Sequence, residues 1–378
     1  MNNRERFNAI MHYQPFDRCL LVDFNFWAET LPEWYKQGLP TSVVGRNSHR
    51  YFGLDASLSG GDQGWEVGVN VDLAPGFEWK VVEDRGDHEV VQQGNGVRVL
   101  RKKYMSSIPH PESHLLTDRA SWKEHFLPRY DPNHPDRWKD FDKFVAKITA
   151  PRDHPLILWA GSLFGSIRDM MGMENVAFAV YDDPAFFQEM VDTRANCILE
   201  CLKKVLATGV KFDSAHMWED MAYNAGPLLS PQHFKQYLVP NYRKIADLLR
   251  SYGVDVLSLD CDGKIDDLVP LWLDAGVNAM FPIEVGTWNA DPVKFRQTYG
   301  QNLLLFGGFD KHALQATPAK IEAEIKRLAP LVESGGFIPM PDHRVPPDVP
   351  FPNYVFYCQK AREIWGKNID LPPIGVTG

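Results

Sequence analysis

The sequence VDVLSLDCDGKIDDLVPLWLDAGVNAMFPIE (residues 254–284) carries the clearest structural signal in the chain. It begins with a short apolar run at 254–260, continues with a helical pattern to residue 274, and closes with a second apolar run at 277–283. Short apolar runs are typical of strands buried on both faces, and parallel strands need a crossover between them, usually a helix. The stretch therefore predicts a β-α-β unit of a parallel sheet.

The same alternation extends outward from this unit in both directions. The six strands that follow residue 155, each leading into a helical pattern, are predicted at 156–165, 211–217, 254–260, 277–283, 302–308 and 336–340. Strands at 19–26 and near 65–72 bring the number to eight, which predicts an α/β fold of the distorted (β/α)8 TIM barrel type. An open doubly wound sheet is the alternative, but the strand-to-helix joints lack the G-x-G-x-x-G and G-x-x-x-x-G-K-[ST] motifs of nucleotide-binding sheets.

Residues 65–104 differ from the rest of the chain in their pattern of apolar and turn residues. Short, partly alternating runs are broken there by Pro75-Gly76, Arg85-Gly86 and Asn95-Gly96, a pattern that predicts an antiparallel β-meander. Residues 106–155 are rich in Pro, His, Asp and Trp and predict an irregular excursion with short helices. We therefore expect one barrel domain over 1–378, with 60–155 inserted into it.

Composition excludes several classes of protein. The 378 residues carry 40 basic and 49 acidic side chains, a formal charge of −9 that disfavours binding to nucleic acid. Aromatic residues make up 12% of the chain, enough for a packed core, and no apolar run is long enough for a membrane span. The segment 1–18 lacks the apolar core of a signal peptide, and the five cysteines have no framework spacing, so we expect a cytoplasmic protein without disulfides.

Charged residues gather just after the predicted strands, where barrel enzymes carry their chemistry. The residues at these ends include Asp23, His216, Glu219, Asp260, Asp262, Glu284, Asp310, Lys311, Asp342, His343 and Arg344. Asp260 and Asp262 are two positions apart, so both carboxylates can face one point. Together with His343 they form a set that suits a divalent metal such as zinc or manganese. The alternative is that these aspartates cap the next helix.

Other strand-end residues have candidate roles in catalysis and binding. Glu219 is a candidate fourth ligand or general base, and His216 a candidate for proton transfer. Arg344 either clamps a substrate carboxylate or pairs with Asp342 or Asp348, and Lys311 is either an electrophile or a solvated partner of Asp310. The predicted substrate-binding residues are Asn25, Phe26, Trp27, Phe164 and Trp218. Cys261 is expected to be a buried thiol that faces away from the two aspartates.

The chain resembles the superfamily of uroporphyrinogen decarboxylase and the corrinoid- and coenzyme M-type methyltransferases. The similar stretches include GSLFGSIRDMMGMENVAFAVYDDPAFFQEMVD (161–192), LLFGGFDKHAL (304–314) and GGFIPMPDHRVPPDVPFPNYVFY (335–357). The resemblance implies a distorted (β/α)8 barrel, in agreement with the strand count. It also implies an enzyme that is either a decarboxylase or a methyltransferase, with a homodimer common among its relatives.

Two departures from the family pattern choose between these branches. The decarboxylases carry an arginine-rich loop after the first strand, whereas residues 23–29 here read DFNFWAE and offer no cation to a polyanionic tetrapyrrole. The methyltransferases bind zinc through a His-x-Cys turn and a late cysteine, and these places fall on Asp260, Asp262 and His343. Oxygen and imidazole ligands are harder than thiolates, so such a metal would polarise an oxygen, for example that of a methoxyl group.

These observations lead to two hypotheses. The first is a metal-assisted methyltransferase or demethylase that acts on a small methylated substrate and passes the methyl group to a corrinoid protein. The second is a cofactor-free decarboxylase of a small carboxylic acid, in which Asp23 or Asp260 stabilises a cationic intermediate and Arg344 or Lys311 holds the carboxylate. A non-catalytic binding protein fits poorly with the acidic strand ends.

Overall fold

The strands of the computed structural model, which describes residues 1–58, 65–103 and 108–375, are mostly short. In chain order they are β1 (Val22–Asp23), β2 (Ala56–Ser57), β3 (Glu66–Val67), β4 (Lys80–Arg85), β5 (His88–Gln92), β6 (Arg98–Lys102), β7 (His110–Ser113), β8 (Ile157–Trp159), β9 (Ser214–Trp218), β10 (Ala222–Tyr223), β11 (Gly226–Pro227), β12 (Leu257–Asp260), β13 (Ala279–Ile283), β14 (Leu304–Phe309) and β15 (Phe337–Pro341). Strands β13, β14 and β15 are buried along their whole length, as expected for a parallel sheet covered by helices.

The central sheet is parallel and curls toward closure. Among the described residues it has seven strands, in the order β15-β14-β13-β12-β9-β8-β3. Strand β1 pairs with β2 in parallel, and a parallel bridge between Phe26 and Val345 connects the segment after β1 to the segment after β15. The predicted distorted (β/α)8 barrel is therefore confirmed. Strand β2 was not predicted, because two residues are too few to produce a periodic pattern.

Helices follow most of the barrel strands. They are α1 (Asn3–Met11), α2 (Thr30–Lys36), α3 (Ser48–Tyr51), α4 (Arg119–Ser121), α5 (Pro135–Trp138), α6 (Phe141–Thr149), α7 (Phe164–Met171), α8 (Met173–Asp182), α9 (Pro184–Leu206), α10 (Pro231–His233), α11 (Val239–Ser251), α12 (Val269–Ala275), α13 (Val285–Trp288), α14 (Pro292–Tyr299), α15 (Pro318–Glu333) and α16 (Phe351–Ile364). Short 3-10 and π segments lie at Trp122–Phe126, Leu127–Tyr130, Phe234–Leu238, Gly300–Asn302 and Lys311–Gln315. Across the described ranges, no helix combines the length and the apolar character needed to cross a membrane.

The unit β12-α12-β13 shows how the local sequence sets the barrel geometry. Pro270 lies in the first turn of α12, where its missing N–H costs nothing. Gly276 ends the helix in the left-handed conformation at φ +93, which turns the chain directly into β13. The carboxyl ends of β12 and β13 consequently lie side by side, with Asp260 opposite Phe281.

The predicted meander is confirmed as a four-stranded antiparallel sheet in the order β4-β5-β6-β7. The barrel strand expected near 65–72 is confirmed as β3, where Glu66 pairs with Ile157, so the meander begins at Lys80 and not at residue 65. Strand β7 lies in the region predicted to be irregular. The expected start of the insertion at residue 60 lies outside the described residues, and the single-domain organisation stays a prediction.

Candidate functional site

A cavity of about 960 Å³ opens inside the barrel. Residues two apart on one strand share a face, and the inward positions on β9 are Ser214, His216 and Trp218. The register of the parallel strands places the inward side chains at two levels. Trp159, His216 and Ser258 lie side by side on adjacent strands at the lower level, and Trp218, Asp260 and Phe281 lie side by side at the upper level. The cavity thus has aromatic walls with one imidazole and one carboxylate on neighbouring strands.

Four of the five expected substrate-binding residues line this cavity, namely Asn25, Phe26, Trp27 and Trp218. Phe164 does not, because it is fully buried at the start of α7 and its backbone N–H donates to Glu219. The prediction for Phe164 rested on its place after a strand. Position alone does not tell whether a side chain faces the barrel interior or the helix layer.

His216 has a defined orientation on the cavity wall. Its Nδ1 lies 2.8 Å from Ser258 Oγ, and the Ser258 hydroxyl donates to the carbonyl oxygen of Ala215 at 3.1 Å. Since a hydroxyl has one proton to give, Nδ1–H donates to Ser258 and Nε2 keeps its lone pair. Burial between Trp159 and Phe281 lowers the pKa of His216 from 6.5 to about 4. The ring is therefore a neutral hydrogen-bond acceptor at physiological pH.

We expect His216 to make the fold less stable in acid. In the unfolded chain, His216 binds a proton below its ordinary pKa of 6.5, whereas in the folded chain it binds one only below about pH 4. Stability therefore rises with pH across this window, by up to about 3 kcal/mol. Urea unfolding of the wild type and of His216→Gln at several pH values measures the difference. Identical pH dependence in the two proteins would contradict the expectation.

Three aspartates meet at the rim of the cavity. One carboxylate oxygen each of Asp220, Asp260 and Asp262 lies within 4.8 Å of the others. Asp262 Oδ1 is buried and has no hydrogen-bond partner among the described residues, whereas its Oδ2 lies 3.4 Å from His343 Nε2. Burial, followed by repulsion from Asp220 and Asp262, raises the pKa of Asp260 well above its ordinary value. The same two causes, burial and then repulsion from Asp262, raise the pKa of Asp220 to about 6.

The structure thus places two of the three predicted metal ligands, Asp260 and Asp262, in one cluster with Asp220, which was not predicted, and it places His343 beside Asp262. Asp220 directly follows Glu219 and adopts a left-handed conformation at φ 41, which turns its carboxylate toward the backbone N–H of Asp262 at 3.0 Å. Cys261 points the other way, as expected. Its buried Sγ accepts from the N–H of Met221 at 3.3 Å.

Gly263 holds the turn that presents Asp262. A Cβ at this position would lie 2.6 Å from the backbone carbon of Ala222, and φ is +99. We expect Gly263→Ala to lower the free energy of unfolding by about 2–3 kcal/mol, because it adds a backbone clash to the strain of a left-handed alanine. The matched control is Gly253→Ala, since Gly253 has φ +84 but open space around it. Equal losses in urea unfolding would show that the close approach to Ala222 is unimportant.

Glu219 lies away from the cavity, at the amino terminus of α7. It is fully buried, and its oxygens accept from the backbone N–H groups of residues 163–165 at 2.7–2.8 Å. The hydroxyls of Ser162 and Tyr242 donate as well, at 3.2 and 2.7 Å. These five donors leave little capacity for a substrate proton. The geometry favours a positioning role over the expected role as a general base or fourth ligand.

Asp23 and Lys311 also lie outside the cavity lining. Asp23 is fully buried and accepts from the hydroxyl of Tyr354 at 2.9 Å. Lys311 Nζ is held by Glu284 at 3.3 Å and by Thr287 Oγ1 at 3.0 Å, so its ion pair is with Glu284 rather than with Asp310. Lys311 therefore balances the acidic rim.

Arg344 lines the cavity, and no described residue offers it an anionic partner. Its guanidinium lies 5.7 Å from the ring centroids of both Phe24 and Trp27. Asp342 instead accepts from backbone N–H groups of the β13 and β14 ends, and Asp348 accepts from the side chain of Gln315. Within the described part of the chain, neither ion pair considered for Arg344 is formed.

Sequence reasoning missed Glu66, which lines the cavity from β3. Its side chain is solvent-accessible on the cavity wall, and partial desolvation there raises the pKa of its carboxyl to about 7. Neither a hydrogen bond nor an ion pair reaches this carboxyl from the residues that the structure describes. Asp220 was missed because the prediction took Glu219, the first acidic residue after the strand. The alternation of inward residues 214, 216 and 218 could have indicated Asp220, and the alternation over 65–72 could have indicated Glu66.

Known proteins provide a comparison for this geometry. Two uroporphyrinogen decarboxylases are similar in sequence to this chain. The protein of Psychromonas ingrahamii is 25% identical over 225 residues, and that of Methylococcus capsulatus is 24% identical over 210 residues. These matches cover 56% and 52% of this chain, and only 59% and 55% of the two relatives. A solved methyltransferase from Methanosarcina mazei has a TM-score of 0.61 at 14% identity, covering 96% of this chain and 99% of that one, which shows a shared fold.

A family model matches a longer part of the chain than either of these two relatives does. The family model described as uroporphyrinogen decarboxylase (URO-D) matches residues 108–364, well over half of the chain. This range includes the strands that carry His216, Asp260 and the segment up to Arg344. The chain belongs to the uroporphyrinogen decarboxylase family.

Proposed function

We propose that the protein is a methyltransferase that removes a methyl group from an oxygen of a small substrate bound in the barrel cavity. The observation that carries the proposal is the cluster of Asp220, Asp260 and Asp262 at the rim of an aromatic cavity. Such a cavity accepts the apolar body of a substrate, and the cluster offers oxygen ligands for a cation beside it.

The charges of the cavity argue against a tetrapyrrole substrate. Arg344 is the one arginine or lysine in the lining that the structure describes, and Glu66 and Asp260 add carboxyl groups. A tetrapyrrole with many carboxylates would need several cations to replace its hydration. The family membership therefore does not extend, in our proposal, to uroporphyrinogen as the substrate.

The donor set fits a divalent metal such as zinc or manganese. Asp220, Asp260 and Asp262 would hold it, with His343 beside Asp262. The orphaned Asp262 Oδ1 and the mutual repulsion of the carboxylates are both relieved when a cation binds. When bound, the metal supplies Lewis acidity toward a substrate oxygen.

The chain's own residues bind the substrate and manage one proton. The aromatic walls, which include Trp159, Trp218 and Phe281, exclude water from the reacting bond. The C–O bond breaks with its electron pair staying on oxygen, while the carbon forms its new bond to the nucleophilic acceptor. The oxygen then needs a proton, which Glu66 can supply because its raised pKa of about 7 keeps part of it protonated. His216 Nε2 can accept a hydrogen bond from the hydroxyl product.

The acceptor in this proposal is a corrinoid carried by a separate protein. The fold shared with a methyltransferase is consistent with it, and the cavity opens at the barrel end where the segments after β1 and β15 meet. A partner docking there would reach the substrate without entering the barrel.

The test is a methyl-transfer assay with free cob(I)alamin and methoxybenzene derivatives as donors. Formation of methylcobalamin, followed by absorbance, is expected with the wild-type protein and a divalent metal. Asp260→Asn should abolish it, whereas Asp267→Asn, a nearby exposed aspartate, should not. Methylcobalamin formation at the protein-free rate across the donors and metals would overturn the proposal.

A decarboxylase of a small carboxylic acid is the second candidate, because Arg344 presents to the cavity a guanidinium that no described carboxylate pairs. This activity would release CO₂ from a carboxyl-labelled acid without a metal. Label in the gas phase in the presence of a chelator would favour it over methyl transfer.

A further inference from the structure

Among the residues that the structure describes, no carboxylate pairs with Arg344, although acidic residues surround the cavity. Its side chain is half-buried and packs against Phe24 and Trp27. Partial burial of a guanidinium is costly unless it is paired, and aromatic faces compensate only in part. The planar fork of arginine matches a carboxylate with two parallel hydrogen bonds. The missing partner can therefore come from a ligand.

The wall between Arg344 and His216 consists of two aromatic rings. The Phe24 and Phe281 centroids lie 4.9 Å apart at 89°, and the Phe281 and His216 centroids lie 5.4 Å apart. A flat ring of a substrate can pack along such a wall by offset stacking or edge contacts. The cavity of about 960 Å³ is large enough for a substrate of drug-like size.

Charge sets the direction in which a substrate lies. Arg344 is the one arginine or lysine of the described lining and attracts an anion, whereas Glu66 and Asp260 offer no positive charge to hold one. An aromatic acid would therefore place its carboxylate on Arg344. The opposite edge of its ring would then lie toward His216 and Asp260, on adjacent strands β9 and β12.

We propose that the substrate is a methoxylated aromatic carboxylic acid, anchored by its carboxylate on the guanidinium of Arg344. This inference rests on the proposed methyl transfer and adds the class of its substrate. It assigns Arg344 a binding role, in which the carboxylate is held rather than released as CO₂. The aromatic ring positions the methoxyl oxygen at the acidic end of the cavity.

Calorimetric titration of the full chain with 4-methoxybenzoate and its neutral analogue 4-methoxybenzamide tests the proposal. The wild-type protein is expected to bind the acid about 10- to 100-fold more tightly than the amide, the range of a charge-assisted hydrogen-bond pair. Arg344→Gln should remove this preference and Arg344→Lys should keep part of it. Arg243→Gln, which changes an exposed arginine, should keep all of it.

Two results on the wild-type protein would overturn the inference even if Arg344→Gln failed to fold. One is equal affinity for the acid and the amide, and the other is equal affinity for 4-methoxybenzoate and cyclohexanecarboxylate, which lacks the aromatic ring. Binding needs no methyl acceptor, so the two proposals fail separately. Selective binding without methyl transfer would overturn the function alone, and equal transfer from neutral ethers would overturn the substrate class alone.

Discussion

Asp260→Asn is expected to lower the affinity for a divalent metal by about 100-fold or more. Changes to residues that only support metal ligands already cost about 10- to 100-fold, and this change removes one of three clustered charges. Elemental analysis after dialysis against zinc or manganese, followed by calorimetric titration, measures the loss. Asp267→Asn is the matched control because Asp267 is exposed on the same segment of chain.

The same substitution should act in the opposite direction on the metal-free protein. Burial and repulsion from neighbouring carboxylates raise the pKa of Asp260 well above its ordinary value, so the ionised group is destabilising. In the presence of a chelator, Asp260→Asn should unfold at an equal or higher urea concentration than the wild type. With metal added, the order should reverse. Unchanged metal content together with unchanged stability in both conditions would show that the cluster holds no cation.

The barrel was predictable because its strands are apolar and separated by clear helical patterns. Strands β12 and β13 lie within the predicted runs, β14 and β15 extend one residue beyond them, and the turn at Gly276 follows directly from the sequence. The short strands β1 to β3 were harder, since two-residue strands depend on tertiary pairing rather than on periodicity. The strand near 65–72 was predicted for the barrel, but the same residues were also assigned to the meander, because their alternation is the same whether they pair with β8 or with β4.

The site was predictable only where strand geometry fixes the direction of a side chain. Asp260 and Asp262 were correctly placed together, and the opposite direction of Cys261 followed from the same alternation. The same alternation applies to β9, where Ser214, His216 and Trp218 face the cavity. It turns Glu219 into the helix layer and Asp220 toward the rim, so both directions could have been predicted. The lack of an ion pair between Arg344 and Asp342 depends on the backbone N–H groups that satisfy Asp342, and local sequence does not reveal them.

Glu219→Ala is expected to lower the free energy of unfolding by about 3–5 kcal/mol, the cost of removing one partner from a buried charged network. Its carboxylate satisfies backbone N–H groups at the start of α7 and the hydroxyls of Ser162 and Tyr242. Removing it leaves these buried donors unsatisfied. Gly165 reinforces the close approach, since a Cβ there would lie 2.4 Å from the carbonyl oxygen of Glu219.

Two further variants separate this structural role from catalysis. Glu174→Ala removes an exposed acidic residue in the first turn of α8, and the loss should stay below about 1 kcal/mol because only the helix dipole is affected. Glu219→Gln should lose less stability than Glu219→Ala, because the amide oxygen still accepts hydrogen bonds from part of these donors. Some loss is still expected, because the amide NH₂ group cannot accept from the others. Urea unfolding measures all three variants. If Glu219→Gln kept full stability but lost methyl transfer, Glu219 would be a proton-transfer group and its positioning role would be wrong.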